Sequence, residues 1–128
     1  TILPKLKTDL IDIISACCEY KLKDIKIEWH NKKSLCVVLC SKGYPDKFKK
    51  KVEIKNVNEI QNKKNNFLFH AGTKIENNKI YAIGGRVLNF VSVSDDFNIA
   101  KDNIIKNLDK LNWTGGFYRK DIGYKVLK

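Results

Sequence analysis

Apolar residues recur at helical spacing in two stretches of the chain and alternate or run together in most of the remainder. In residues 8–21, Leu10, Ile13, Ile14, Cys17 and Tyr20 fall on one face. Thr8 suits the N-cap, and Asp9 and Asp12 suit the first turns, so the pattern predicts an amphipathic helix. Pro4 keeps the approach to it extended. Residues 23–29 alternate, with Ile25, Ile27 and Trp29 on one side, which predicts a short strand or extended segment. The polar stretch 30–33 marks the main organisational boundary. Residues 34–40 form a continuous apolar run, which predicts a strand covered on both faces. It stops at Ser41-Lys42-Gly43-Tyr44-Pro45-Asp46, a turn sequence. Residues 52–54 predict a short strand, and 56–66 a polar connector with apolar positions at Val57 and Ile60.

Residues 67–88 predict a β-hairpin. Phe67, Phe69, Ile75, Ile80 and Tyr81 carry the apolar alternation, and Asn77-Asn78 suits a two-residue reversal because asparagine takes φ > 0 more readily than most residues. His70-Ala71-Gly72-Thr73 and Gly84-Gly85-Arg86 then fall near the same end of that hairpin. Its second arm leads into another strand over 86–94. Asp95 or Asp96 is expected to cap a second helix running to about Leu111, with Phe97, Ala100, Ile104, Ile105, Leu108 and Leu111 at helical spacing. Residues 112–116 end it, and 117–123 predict a short extended tail. Strands outnumber helices and short links favour antiparallel pairing, so the expected class is α+β, an antiparallel sheet with two main helices against it.

The length, 128 residues, suits one domain. The chain contains no methionine, and its first ten residues lack the apolar core of a signal peptide, so it is read as a piece of a longer protein. No apolar run approaches the roughly 20 residues that span a bilayer. The net charge of +11 invites a nucleic-acid reading, but the 25 cationic residues include only two arginines, Arg86 and Arg119. Lysine, asparagine and isoleucine together are what an A/T-rich genome produces. Lys49-Lys50-Lys51 is therefore read as a solvated loop or strand edge, and neither nucleic acid nor membrane is expected as a partner. Where arginine persists in such a chain, its planar fork is the informative feature. Cys17, Cys18, Cys36 and Cys40 lack zinc spacing and are read as buried free thiols in a reducing cytoplasm.

No complete catalytic set is visible. Arg86, after Gly84-Gly85, suits a phosphate or carboxylate, with a salt bridge to Asp121 or a nearby glutamate as the alternative. His70 either holds the His-Ala-Gly-Thr turn or contacts a substrate. Tyr44 either packs over its turn or stands at the rim of a cleft. Arg119 and Asp121 are candidates for an internal ion pair fixing the carboxyl-terminal segment, or for cleft residues.

Taken in order, 34–39 leading to Gly43-Tyr44-Pro45, then Phe69-His70-Ala71-Gly72-Thr73, Gly84-Gly85-Arg86-Val87-Leu88 and 117–123 closely resemble the carboxyl-terminal part of phosphoribosylamine–glycine ligase. The opening residues 2–10 resemble the segment that follows that family's Gly-Asp-Pro-Glu motif. Asn89 and Phe90 depart from it, standing where smaller residues are common. The resemblance implies an ATP-grasp ligase that joins glycine to phosphoribosylamine through a glycyl phosphate in purine biosynthesis. Residues 1–33 would end the ATP-grasp portion and 34–128 would form the small domain that closes the substrate cleft. Gly43, Tyr44, His70, Gly72, Thr73, Gly84, Gly85 and Arg86 would lie at or behind the phosphoribosylamine side. ATP and Mg (or Mn) would be held by the upstream portion of the same protein, so this chain alone is expected to be inactive. Two rival readings are a free-standing domain that binds an anionic small molecule or partner subunit, and a basic nucleic-acid module, against which the scarcity of arginine speaks.

Overall fold

The computed structural model of the chain describes residues 1–60 and 64–127. Among the described residues, two antiparallel sheets and two α-helices make up the fold. β1 (Lys33–Ser41), β3 (Asn66–His70), β6 (Arg86–Ser94) and β7 (Gly116–Phe117) form one sheet in the order β3-β6-β1-β7. β2 (Val52–Ile54), β4 (Thr73–Glu76) and β5 (Lys79–Ala82) form the other, in the order β2-β5-β4. The helices are α1 (Leu10–Cys18) and α2 (Phe97–Leu108).

The core lies between α2 and one face of the larger sheet. Leu35, Val37 and Leu39 of β1 stand opposite Ser92, Phe90 and Leu88 of β6, and Ala100, Ile104 and Leu108 of α2 are buried against them, one helical turn apart. Ile54, Val57, Ile60 and Ala82 extend the same core towards the second sheet. Asp96 is the α2 cap: its carboxylate accepts from Asn98 N at 2.7 Å and Ile99 N at 3.3 Å.

The predicted hairpin of 67–88 is divided between the sheets. β3 pairs with β6, whereas β4 and β5 turn through Asn77 (φ 48°) and Asn78 (φ 60°) in the smaller sheet. The reversal falls where expected, but His70 and Thr73 belong to different sheets, because the chain crosses over at Ala71-Gly72. Three further expectations are corrected. β1 is buried on alternate residues only, its other face half-covered. Of the two forms expected for residues 23–29 the strand is absent: Leu22–Asp24 is a 3-10 turn, Ile25 leaves it in extended backbone, and Trp29 makes a single bridge to Leu6. Residues after Phe117 fold into successive turns, with Val126 N donating to Gly123 O, rather than extending. The connector is covered by the structure except at residues 61–63, which lie outside the described residues.

The first helix is shorter than predicted. Asp9 caps it by accepting from Ile11 N at 2.7 Å, while the Thr8 hydroxyl accepts from Glu28 N at 2.7 Å and ties the entry to the segment beyond. Tyr20, at φ 58°, ends it: Tyr20 N donates to Cys17 O and Lys21 N to Ala16 O, the paired bonds of a Schellman stop. α1 has no buried residue, and Cys17 and Cys18, expected inside, are exposed.

Candidate functional site

A bulge creates the site. β1 and β6 pair in register from Lys33↔Ser94 to Leu39↔Leu88, and then Cys40 stands opposite Arg86, leaving Val87 as the extra residue. That step puts Arg86 on the same sheet face as Cys40, Val38 and Asn89, away from α2. The side chain is exposed and has no acidic partner among the described residues. Asp121 is instead gripped by Arg119, with Nε donating to Oδ1 at 3.1 Å and Nη2 to Oδ2 at 2.7 Å. Arg119 holds that carboxyl below the usual range. Arg86 is thus left free for an anion.

Two glycine backbones approach each other beneath it. Gly72 N donates to Arg86 O at 3.1 Å, and Gly72 O accepts from Ile83 N at 2.8 Å and Gly84 N at 3.2 Å. A Cβ on Gly72 would meet Arg86 O at 2.6 Å and Gly84 Cα at 2.8 Å, so no larger residue fits this crossing. Gly43, at φ +99°, opens the turn that carries Tyr44 back over Gly85. The result is a cleft of about 560 Å³ lined by Val38, Tyr44, Ala71, Gly72, Gly85, Arg86 and Asn89. Val38 and Tyr44 also belong to an adjoining apolar groove of about 400 Å³, whose other side is Phe117, Tyr118, Arg119 and Ile122. Cys36 and Cys40 face that groove, and burial pushes both thiols up, with Arg86 opposing the effect at Cys40.

Of the residues singled out by sequence, Tyr44, Gly72, Gly85 and Arg86 line the cleft, and Arg119 stands in the groove beside it. Gly43 and Gly84 lie behind the lining. His70 and Thr73 are neighbours, Nδ1 and Oγ1 being 3.0 Å apart, and brace the crossover beside the cleft. Ala71, within the expected stretch 70–73, lines the cleft too, and Val38 and Asn89 join it unforeseen. The spacing of Asn89 from Arg86 hides their shared face until the bulge at Val87 is known. Among the described residues no group of three or more His, Cys, Asp or Glu is arranged to hold a metal ion, and the lining of the cleft includes no carboxylate. No helix among them is long and apolar enough to cross a membrane.

Residues 34–125 match the family profile described as phosphoribosylglycinamide synthetase, C domain. The chain belongs to this family. It is 44% identical over 94% of its length to a phosphoribosylamine–glycine ligase of Caldanaerobacter subterraneus, and it spans 28% of that relative. It is 42% identical over 98% of its length to a bifunctional purine biosynthetic protein of Dictyostelium discoideum, of which it spans 16%. A solved phosphoribosylamine–glycine ligase from Thermotoga maritima superposes with a TM-score of 0.66 at 25% identity, covering 86% of this chain and 27% of that one. The fold is therefore that of the phosphoribosylglycinamide synthetase C domain, and the chain corresponds to less than a third of the ligases it resembles.

Proposed function

We propose that this chain is the carboxyl-terminal portion of an ATP-dependent, ADP-forming ligase that joins glycine to 5-phosphoribosylamine, and that the Arg86 cleft receives the phosphoribosyl end of that substrate. The carrying observation is the exposed Arg86 guanidinium, without an acidic partner among the described residues, in a cleft of about 560 Å³ that Tyr44, Gly72, Gly85 and Asn89 also line. A guanidinium fork binds phosphate oxygens two at a time. Tyr44 walls the cleft on one side and Asn89 offers an amide on the other.

Residues 1–33 would complete the ATP-grasp portion and 34–128 would form the closing domain. In support, the family profile begins at residue 34, whereas the relatives align along nearly the whole chain. The exposed Leu10, Ile11 and Ile14 of α1 would be covered by the upstream portion. ATP and its divalent cation would bind in that portion, glycine would meet phosphoribosylamine between the two, and the intact enzyme would work in the cytoplasm. The chain alone would bind a sugar phosphate without turning over.

Titration of the ¹⁵N-labelled chain with ribose 5-phosphate tests this. Amide shifts confined to Gly72, Gly85, Arg86 and Asn89, with no ADP release from ATP, glycine and phosphoribosylamine, are expected. Shifts elsewhere, or substrate-dependent ADP release, would overturn the reading.

A further inference from the structure

We infer that Ser41, the last residue of β1, is a positioning residue that fixes the backbone on which Arg86 stands. The inference rests on the reading of Arg86 as the phosphate-holding group. Ser41 is 2% exposed, and its polar atoms reach the backbone of Tyr44 and Gly85 in the cleft lining and of Gly84 behind it. Its hydroxyl donates to Gly84 O at 2.7 Å, its N–H donates to Gly85 O at 2.8 Å, and its carbonyl accepts from Tyr44 N at 3.0 Å.

The two glycines explain why such a grip is needed. Gly84-Gly85 is the most permissive dipeptide the chain could place before a functional side chain, and each glycine loses more freedom on ordering than any other residue. A planar trans peptide moves as a unit. Holding the carbonyls of Gly84 and Gly85 therefore fixes the two planes that flank Gly85 and turns the N–H groups of Gly85 and Arg86 away from β1. On the far side, Gly72 O accepts from Gly84 N. The segment is clamped between Ser41 and Gly72, and the base of Arg86 is clamped with it. Removing the hydroxyl leaves the Ser41 N–H bond in place but releases the plane of Gly84, so the change reaches Arg86 without dismantling the sheet.

Burial of a serine does not imply this role. Ser92 is also fully buried, on the α2 side of β6, and its hydroxyl has no partner among the described residues. Ser92→Ala is therefore the matched control, a buried hydroxyl removed far from the cleft.

The experiment measures ribose 5-phosphate affinity of the chain by ¹⁵N titration for Ser41→Ala, Ser92→Ala and Arg86→Ala, each at a temperature where it is fully folded. It also records the ¹³C carbonyl resonance of Gly84. Loss of one hydrogen bond of ordinary strength predicts about fivefold weaker binding for Ser41→Ala. The Gly84 carbonyl should move upfield as its donor is lost. Ser92→Ala should bind as the parent does, and Arg86→Ala should abolish binding. If Arg86→Ala abolishes binding but Ser41→Ala binds as tightly as the parent, the positioning role is overturned and the anion site stands. If Arg86→Ala binds normally, the site reading fails and the role of Ser41 falls with it.

Discussion

The Tyr44 ring rests on the backbone of Gly85, so closely that a Cβ on Gly85 would stand 2.2 Å from ring Cδ2 and 2.6 Å from Cε2. Gly85→Ala must therefore displace the ring. We expect a stability loss of about 1–3 kcal/mol, the usual cost of overpacking, and weaker ribose 5-phosphate binding. Adding Tyr44→Ala to Gly85→Ala should recover part of that loss, a coupling that denaturant unfolding of the four proteins in the cycle measures.

Gly72 presents a harder constraint than Gly85. The atoms a Cβ would strike there, Arg86 O and Gly84 Cα, are backbone and cannot rotate aside. Gly72→Ala should therefore cost more than Gly85→Ala, at or above the upper end of about 1–3 kcal/mol. Urea midpoints compared at one pH decide the order.

Glu76 links stability to acid. Its carboxylate lies 2.6 Å from Lys51 Nζ and 2.8 Å from Lys74 Nζ, and these hydrogen bonds, Lys51 first, bring it from 4.5 down to about 2. A carboxyl depressed on folding stabilises fully above its unfolded value and loses that contribution as pH falls through the folded one. The stability difference between the parent and Glu76→Gln should thus be greatest above pH 4.5 and vanish as pH approaches 2. Glu76 is half-buried but both lysines are exposed, so the difference should be small and should shrink further in high salt.

The four thiols should separate by rate. Cys17 and Cys18 are exposed on α1, whereas Cys36 and Cys40 are half-buried with their thiols pushed up by burial. Iodoacetamide at pH 8 should modify the α1 pair first, since the thiolate is the reacting form. Peptide mapping over time measures the order.

The features legible in the sequence were those set by local chemistry. Asp96 before an apolar helical stripe, Asn77-Asn78 between alternating arms and the long apolar run of β1 each state their role within a few residues. Non-local pairing was not legible. Phe67 and Phe69 alternate as well as Ile75 and Ile80 do, and nothing local tells that the first pair belongs on β6 and the second in another sheet. The division occurs at Gly72, where two backbones cross in space that only tertiary structure defines. The stop at Tyr20 is not legible because an aromatic residue rarely takes positive φ, and its spacing fits the helix face. At the cleft, arginine scarcity and the flanking glycines pointed to Arg86. The bulge that turns it towards Asn89, and the hold of Ser41 on Gly84, depend on register and could not be read from spacing.

The most direct measurement replaces the corresponding segment of the 44% identical Caldanaerobacter relative with residues 34–125 of this chain and follows steady-state ligation with and without Arg86→Ala. The account predicts an active chimera in which Arg86→Ala raises KM for phosphoribosylamine at least about tenfold, the loss of a charge-assisted phosphate contact, while KM for ATP and glycine stays unchanged. A folded chimera without ligase activity, or one whose KM for phosphoribosylamine is indifferent to Arg86, would contradict it.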